Sequence, residues 1–343
     1  MPTNTAAWIL SSREQVTVKD APYTPAGPDE VVIENSAVAI NPLDWKLQSF
    51  DPIPTFPVKY PMILGSDVAG TIIEVGNNVH ARKVGERVIA HCVGFAVGRP
   101  EASGYQKFSI TPEAYAVPIP DHVNFEAGAV LPLSCDSAMA GLFLEDHLGL
   151  KLPAADANRK DEALVVWGGS SSVGCSVIQM ASAAGYDVFV MASKRNHELC
   201  SSLGSVRNFD YADSDVVDQV VEALQGKTVV GAYDCVGDHE KTLKPCTEIL
   251  VNSAGKKLVV TLLEPPGDVS ANGVRTIRTN IRGTLSNPEV LIAVHSWMAE
   301  ALAQNRLQPK PDPTVIGHGL EYVQIGLDRL KEGVSAAKIV VTL

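Results

Sequence analysis

The stretch Val165–Gly174 reads VVWGGSSSVG, an apolar run that stops at two glycines and continues into three serines. The apolar run predicts a buried strand, and the residues after it predict a helix. A strand that enters a helix through a glycine-rich turn builds an anion site. The first N–H groups of such a helix have no internal partner, and the helix dipole adds positive potential. We therefore expect this turn to bind a phosphate.

The spacing of the turn is a variant of the dinucleotide fingerprint G-x-G-x-x-G. Gly169 and Gly174 occupy its first and last positions, whereas Ser171 stands in the middle. The alternative interpretation is an ordinary strand-to-helix turn whose serines cap the helix, and both descriptions fit the same residues. The predicted pyrophosphate contacts are Gly169, Ser170, Ser171, Ser172, Val173 and Gly174.

The end of the following strand predicts which dinucleotide binds. NAD sites usually place Asp or Glu there, but this chain continues with Ser193, Lys194, Arg195 and Asn196. A carboxylate would repel a 2′-phosphate, whereas hydroxyl, ammonium and guanidinium groups attract it, so the segment favours NADPH. The alternative is a solvated basic start to a helix over residues 197–204, although positive charge at a helix N-terminus is unfavourable.

The charge balance of the chain restricts its partners. Twenty-eight basic and 39 acidic residues leave a net charge of −11, which disfavours nucleic acid and anionic membranes because neither would meet a basic surface. No apolar run approaches the about 20 residues of a membrane span, and the N-terminus lacks the basic region of a signal peptide. The six cysteines form no CxxC pair, which favours reduced thiols. A cytoplasmic location is expected.

The residue pattern predicts an α/β fold with two domains in 343 residues. Up to about residue 125, short β-branched runs alternate with Pro and Gly, which predicts a small barrel or sandwich. Over 126–286, strands alternate with helices, which predicts a parallel sheet with helices on both faces. The tail, 287–343, contains two amphipathic helices and a last strand, and residues 280–286 are a candidate edge strand.

Segments along nearly the whole chain resemble the medium-chain dehydrogenase/reductase family. Together they are specific, and singly none would be. They are Asn41–Lys46 (NPLDWK), Pro61–Gly70 (PMILGSDVAG), Val84–Val88 (VGERV), the glycine-rich turn, Tyr233–Gly237 (YDCVG) and Ser335–Val341 (SAAKIVV). The resemblance implies a GroES-like β-barrel domain, residues 1–125 completed by 287–343, joined to a Rossmann domain with a doubly wound parallel sheet, residues 126–286.

Residues that are missing place the resemblance in the zinc-free branch of the family. Zinc alcohol dehydrogenases have an early Cys ligand, a Gly-His-Glu segment and a lobe with four cysteines near position 100. Here the first region holds no Cys, Ser66 replaces the His, and residues 92–108 hold one cysteine, Cys92. A catalytic zinc needs three protein ligands and a structural zinc needs four, so no metal is expected.

The zinc-free branch includes quinone oxidoreductases and enoyl reductases. Three segments, AAWIL near the start, AINPLDWK and VSAAKIVV, look most like its fungal group. That group contains trans-acting enoyl reductases of polyketide pathways. The resemblance therefore implies an NADPH-dependent reductase with an enoyl or quinone substrate, and it makes a polyketide synthase a candidate partner.

Matching the segments one by one implies further site residues. The coenzyme contacts beyond the turn and the strand end are Asn41, Pro42, Asp44, Tyr211, Leu262, Leu263, Val334 and Ser335. The segment SCDSAMAGL, residues 134–142, matches a substrate-side helix and implies substrate contacts from Cys135, Asp136, Ser137 and Met139. The resemblance implies that Tyr211 lies by the adenosine phosphate and that Leu262 and Leu263 lie beside the nicotinamide.

Without a zinc ion to polarise a carbonyl, the expected reaction is conjugate reduction. Hydride passes from NADPH to the β-carbon of an activated double bond, and the site supplies donors to the enolate oxygen and a proton to the α-carbon. Lys46 is the candidate for the cationic or proton-donating role, and the alternative is a structural or ribose-binding lysine. Tyr60 and His91 are further candidate donors.

Other functions stay open on the sequence alone. A second hypothesis is a protein that docks on a megasynthase and acts only on the carrier-bound chain. A third is a protein that binds NADPH without turnover, and carbonyl reduction is the alternative chemistry. Relatives in the family are monomers or homodimers, and neither the oligomeric state nor the substrate can be read from these residues.

Overall fold

The computed structural model describes residues 2–49, 59–154, 161–265, 272–279 and 281–343. The strands in these ranges are β1 (Asn4–Ile9), β2 (Thr17–Ala21), β3 (Glu30–Ala39), β4 (Met62–Ile63), β5 (Asp67–Val75), β6 (Arg87–His91), β7 (Phe108–Pro112), β8 (Ala116–Pro118), β9 (Glu162–Trp167), β10 (Asp187–Ala192), β11 (Ser205–Asp210), β12 (Thr228–Asp234), β13 (Leu258–Thr261), β14 (Arg275–Arg278), β15 (Pro313–His318) and β16 (Lys338–Thr342). The helices are α1 (Pro42–Ser49), α2 (Gly94–Val97), α3 (Phe125–Gly128), α4 (Pro132–Phe143), α5 (Ser172–Ala183), α6 (His197–Ser202), α7 (Val216–Ala223), α8 (Lys244–Val251), α9 (Arg282–Leu285), α10 (Pro288–Ala303) and α11 (Tyr322–Lys331).

The chain forms two compact units. The first joins Met1–Leu133 to Met298–Leu343, and the second is Ser134–Trp297. The sequence places the domain limits at 125 and 287. The tail therefore contributes to the first unit only from Met298 onward, part-way along α10.

The first unit is built on β3, the most extensively paired of its strands. β3 pairs antiparallel with β5, β7 and β16, and seven of its ten residues are buried. The main sheet runs β15-β16-β3-β5-β6-β8, and a smaller sheet runs β2-β1-β4. Aliphatic side chains of β3, β5, β6 and β16 share one core with α11. This mostly antiparallel β structure agrees with the barrel or sandwich expected from the short β-branched runs.

The second unit contains a parallel sheet in the order β11-β10-β9-β12-β13-β14. Counted along the chain from β9, that order is 3-2-1-4-5-6, the doubly wound arrangement of Rossmann folds. The strand β10 is buried at every position, as expected for a strand covered on both faces. The α/β class and the doubly wound parallel sheet predicted from the sequence are confirmed.

The predicted edge strand at 280–286 is wrong. Arg282–Leu285 forms the short helix α9, and the described edges of the parallel sheet are β11 and β14. Turn hydrogen bonds from Thr284 N–H to the Ile281 carbonyl (3.0 Å) and from Ser286 N–H to the Gly283 carbonyl (3.2 Å) satisfy the backbone locally. The polar segment has no alternating apolar face to hold it against the sheet.

Among the described residues, no helix is both long enough and apolar enough to span a membrane.

Candidate functional site

The glycine-rich turn lies at the topological switch point of the parallel sheet. It follows β9, which lies between β10 and β12 in the sheet. The strand order runs from β9 to β10 and β11 on one side, and to β12, β13 and β14 on the other. Open α/β sheets bind ligands outside the carboxyl ends of their strands at such a point. Gly168 makes the bend, with φ at +80°, and its N–H donates to the Met191 carbonyl of β10 at 2.9 Å.

Two of the glycines are required by close packing. A Cβ on Gly174 would lie 2.3 Å from the carbonyl oxygen of Gly168, so helix α5 could not approach the strand. A Cβ on Gly169 would lie 2.2 Å from Cγ1 of Val190. These are the first and last glycines of the fingerprint, and the structure assigns both to helix–strand packing.

The serine at the middle position of the fingerprint caps the helix. Ser171 Oγ accepts a hydrogen bond from Gly174 N–H at 3.1 Å. Within the described part of the chain, the N–H groups of Ser172 and Val173 have no acceptor. The two interpretations of the turn are therefore compatible, because the cap uses one N–H and leaves two others available to an anion.

A polar surface connects the turn to the end of β10. Asn196 donates from Nδ2 to Ser170 Oγ at 2.9 Å, and Ser193 Oγ lies 2.6 Å from the hydroxyl of Tyr211, which follows β11. Lys194 and Arg195 are exposed between them. Neither cation forms an ion pair within the described ranges. The structure thus gathers the predicted 2′-phosphate residues beside the predicted pyrophosphate turn.

The loop after β12 forms the other side of the switch point. Asp234 is buried and its Oδ1 accepts the N–H groups of Val236 and Gly237, both at 3.0 Å. Burial raises the pKa of this carboxyl, and those hydrogen bonds partly oppose the shift. Exposed Val236 and Leu263 lie at this edge, where Leu263 contacts the Cα side of Gly237. The apolar surface agrees with the predicted nicotinamide position of Leu263, whereas half-buried Leu262 is less accessible.

Helix α4 contacts α5 and the carboxyl end of β12. Ser134 Oγ lies 3.0 Å from Ser176 Oγ in the first turn of α5, and the hydroxyl of Tyr233 donates to the Ser137 carbonyl at 2.7 Å. Of the predicted substrate residues, Cys135 contacts α5, with its Sγ 3.5 Å from Ser176 Oγ. Their side chains are all buried within the unit, so direct substrate contact stays a prediction: Cys135, Asp136, Ser137 and Met139.

Sequence reasoning missed His295. Its Nε2 lies 2.7 Å from Oδ1 of Asp136, and both side chains are buried. His295 is separated from Asp136 by more than 150 residues and stands in the long apolar helix α10. A lone His in an amphipathic pattern carries no signal of such a partner, so only the tertiary structure reveals the pair.

In the first unit, the NPLDWK segment forms helix α1 and the turn into it. Asn41 and Asp44 are 4% and 1% exposed. The Asp44 carboxylate accepts hydrogen bonds from Asn41 N–H at 2.8 Å and from the Tyr105 hydroxyl at 2.6 Å. Pro42 is exposed. Coenzyme contact by Asn41, Pro42 and Asp44 stays a prediction. The Asp44 carboxylate already accepts hydrogen bonds within the first unit.

Lys46, the candidate cation, follows in the same helix. Its side chain is half-buried, with Nζ 5.7 Å from the centre of the Trp45 ring. Burial lowers its pKa, which favours proton donation because the ammonium gives up its proton more readily. Among the alternative donors, Tyr60 is half-buried, and His91 is buried edge-on against the Tyr115 ring at 5.7 Å.

The late coenzyme segment lies just before β16. Val334 is half-buried against the core of the first unit, and Ser335 is exposed. Ala336 has φ at +48°, a left-handed conformation that is unfavourable for a residue with a side chain. The unusual bend is therefore imposed by its surroundings.

The described residues are expected to hold no zinc site, and the donor groups they offer are as follows. Across the described ranges, no group of three or more His, Cys, Asp or Glu side chains could hold a metal ion. Ser66 is buried at the position where zinc enzymes of the resembled family carry a His. Cys92, the one cysteine in residues 92–108, is buried, and burial raises the pKa of its thiol to about 12.

Comparison with known proteins identifies the family. Residues 27–121 match the family model described as alcohol dehydrogenase GroES-like domain, and residues 172–300 match the one described as zinc-binding dehydrogenase. Dehydrogenase orf1 of Aspergillus niger is 36% identical over the full length of both chains. The chain belongs to the medium-chain dehydrogenase/reductase family. The family resemblance and the GroES-like domain expected from the sequence are thereby confirmed.

Two further medium-chain dehydrogenases/reductases illustrate the range of the family. A protein of Aspergillus japonicus named trans-enoyl reductase himH is 39% identical over 99% of this chain and 97% of its own. The crystal structure of a quinone oxidoreductase from Pseudomonas syringae shares 22% identity over the full length of both chains with a TM-score of 0.75, which shows the common fold. This medium-chain dehydrogenase/reductase is an oxidoreductase, and its family and parallel sheet support the binding of a nicotinamide coenzyme.

Proposed function

We propose that the protein is an NADPH-dependent, zinc-independent reductase of activated carbon–carbon double bonds. The observation that carries the coenzyme assignment is the pair of exposed cations at the end of β10, Lys194 and Arg195, which form no ion pair with any described residue and lie beside the glycine-rich turn. The reaction class is supported by 39% identity to a protein named trans-enoyl reductase. Both observations refine the oxidoreductase assignment that family membership supports.

Coenzyme selectivity follows from the charge at the end of β10. The segment holds Ser193, Lys194 and Arg195 and no carboxylate that would accept the ribose 2′-hydroxyl. The Ser193–Tyr211 hydroxyl pair, 2.6 Å apart, lies next to both cations. A 2′-phosphate would receive charge-assisted hydrogen bonds here, whereas a free 2′-hydroxyl would leave two cations without a partner. This arrangement favours NADPH over NADH.

Zinc independence rests on the donor set. Ser66 offers a hydroxyl where an imidazole would be needed, and its buried Oγ finds no hydrogen-bond partner among the described residues. Asp67, the next residue, is already paired with Lys338 at 2.8 Å. The match to a family model named for zinc binding therefore reflects common ancestry of the fold rather than a retained site.

In this proposal, one set of residues binds the coenzyme and another residue supplies the proton. The turn and the end of β10 bind the phosphates, and the apolar edge of Val236 and Leu263 offers a dry surface to a planar ring. The bound coenzyme supplies the hydride. Lys46 is the proposed cation for the enolate oxygen or donor for the α-carbon, and the lowering of its pKa by burial favours the second role.

Similarity to trans-enoyl reductases also suggests a carrier-bound substrate. In this form of the proposal the acyl chain is attached to a carrier domain of a polyketide synthase. NADPH oxidation with free enones or quinones would show a free-standing reductase. Turnover only after a carrier-bound enoyl chain is added would show action in trans.

The deciding experiment is fluorescence titration with NADPH and NADH. Wild type should prefer NADPH, and Lys194→Ala with Arg195→Ala should remove the preference. An exposed charge-assisted bond contributes about 1 kcal/mol, so the double substitution should weaken NADPH binding about 30-fold. NADH binding should change little.

A charge-matched control removes two exposed cations elsewhere in the second unit, Arg207→Ala with Lys244→Ala. This variant should keep the NADPH preference. Equal affinity of wild type for both coenzymes would contradict the assignment, and so would an equal loss in both double variants. Stoichiometric zinc in the purified protein would contradict the zinc-independent part.

A further inference from the structure

Three buried polar side chains from distant segments meet in the first unit, and we call them the clamp: Asn41, Asp67 and Lys338. Lys338 is 3% exposed and Asp67 is 0% exposed. Lys338 Nζ lies 2.8 Å from Asp67 Oδ2 and donates to Asn41 Oδ1 at 2.5 Å. Asn41 Nδ2 closes the triangle by donating to the same Asp67 oxygen at 2.8 Å. Each member therefore contacts both of the others.

The clamp lies where three elements converge. Asn41 precedes α1, Asp67 begins β5 and Lys338 begins β16. The second oxygen of Asp67 accepts the N–H of Leu133, in the first turn of α4, at 2.6 Å. A backbone bond from Ile40 N–H to the Ile339 carbonyl, 2.9 Å long, joins the same two chain segments. The clamp thus continues the sheet's own pairing into the turn that leads to α1.

A second group of hydrogen bonds extends the clamp into α1. The Asp44 side chain accepts from Asn41 N–H, the Tyr105 hydroxyl and Gly65 N–H. This carboxylate sits in the first turn of α1 and satisfies an N–H just before it, as a helix cap does. The orientation of α1 is therefore tied to Asn41, and α1 carries Lys46.

On its other side, the clamp is followed back along the chain by the bend before β16. Lys338 lies four positions after Val334 and three after Ser335. Ala336, between Ser335 and Lys338, has φ at +48°. A non-glycine residue stays in that region only when its surroundings hold it there. The buried lysine supplies such an anchor two residues downstream.

Stability alone does not account for the clamp. Replacing a buried ion pair by apolar residues of similar size is often neutral or stabilising, because desolvation offsets most of the attraction. What apolar residues cannot supply is direction, since hydrogen bonds define angles as well as distances. A charged pair at this position therefore suggests a need for defined geometry.

We propose that Lys338 and Asp67 are positioning residues that hold the Asn41–Lys46 and Val334–Ser335 segments in one arrangement for the reaction. The inference rests on the proposed function, in which both segments serve the coenzyme. Lys338 and Asp67 act through Asn41 and α1, and Lys46 remains the group assigned to the chemistry.

The test compares one variant that breaks the pair with another that neutralises it. Lys338→Met leaves a buried carboxylate unpaired and should lower the melting temperature. Lys338→Met with Asp67→Asn removes both charges and keeps an oxygen for Leu133 N–H, so most of the stability should return. Lys107→Met, an exposed lysine of the same unit, is the matched control and should behave as wild type.

Two measurements separate positioning from stability. In the double variant kcat should stay about 10-fold or more below wild type, since small misplacements of catalytic groups are costly. Amide hydrogen exchange over residues 41–49 should be about 10-fold faster than in wild type, without coenzyme present. A double variant with recovered stability, wild-type kcat and wild-type exchange would overturn the inference and leave a purely structural pair.

The exchange measurement also distinguishes this inference from the proposed function. A wild-type protein that oxidises no NADPH with any enone, quinone or carrier-bound enoyl chain contradicts the reductase assignment. The exchange rates of the same variants still decide whether the clamp holds α1. Unchanged exchange in an active enzyme would contradict the clamp alone.

Discussion

Asp44 is a buried carboxyl group with no cationic partner among the described residues, and its ionisation should destabilise the folded protein. It is 1% exposed, and burial raises its pKa from 3.8 to about 6. The charge of Asp67 adds to the shift, whereas hydrogen bonds from Tyr105, Asn41 and Gly65 oppose it. Since the folded-state pKa is above the unfolded-state pKa, the folded protein binds the proton more tightly.

The sign and size of the effect follow from linkage. The stabilising contribution of the proton is complete below the unfolded pKa of 3.8 and is lost as pH rises through about 6. Each pKa unit corresponds to 1.36 kcal/mol, so ionisation costs the fold about 3 kcal/mol in all. About 2 kcal/mol of that falls between pH 4 and pH 7.5.

Asp44→Asn removes this titration. Asn keeps one acceptor oxygen, and its amide would face one of the three donors, which imposes a fixed cost that does not depend on pH. The free energy of unfolding of wild type minus that of Asp44→Asn should therefore fall by about 2 kcal/mol from pH 4 to pH 7.5.

Urea unfolding followed by tryptophan fluorescence measures this difference at each pH, with Trp8 and Trp45 as reporters in the first unit. Asp20→Asn, at an exposed carboxyl on β2, controls for the loss of one acidic residue. A difference that stays constant with pH would refute the reasoning that this carboxyl ionises at the expense of the fold. A difference that grows with pH would show that a cation stabilises the carboxylate.

Two other predictions concern the second unit. Gly174→Ala places a Cβ 2.3 Å from the Gly168 carbonyl, so α5 must move away from the turn, and titration should show NADPH affinity reduced about 10-fold or more. Gly226→Ala, where a Cβ would meet nothing within 4 Å but φ is +80°, should reduce stability without the same loss of affinity. Asp136→Leu removes the acceptor of buried His295, 2.7 Å away, and should cost about 2 kcal/mol in thermal unfolding. Asp136→Asn keeps an acceptor and should cost less; equal losses would show that this hydrogen bond is not the stabilising contact.

Much of the fold could be predicted because its signals are local. The run before Gly168 and the period of the residues after Ser171 predict a strand and a helix, and these elements occur as β9 and α5. Repetition of that pattern predicts a parallel sheet, since βαβ units have few arrangements. Residues 280–286 gave no comparable pattern, and the edge strand expected there is the helix α9 instead.

The candidate coenzyme site was predictable to the same degree. The carboxyl ends of neighbouring parallel strands meet at one edge, so the turn after β9 and the cations after β10 had to lie close together. The structure adds the contacts that join them, from Asn196 to Ser170 and from Ser193 to Tyr211.

The sequence by itself determined the two-part architecture, the glycine-rich turn between strand and helix, and the basic strand end, because each is a pattern of consecutive residues. Only the tertiary structure decided that Lys338 pairs with Asp67, that Asp44 is buried beside Tyr105 and that His295 meets Asp136. These pairs join residues far apart in the chain, and a charge in a sequence does not reveal which opposite charge the fold will bring to it. Burial then sets their properties, because the cost of removing a charge from water depends on the surroundings that folding creates.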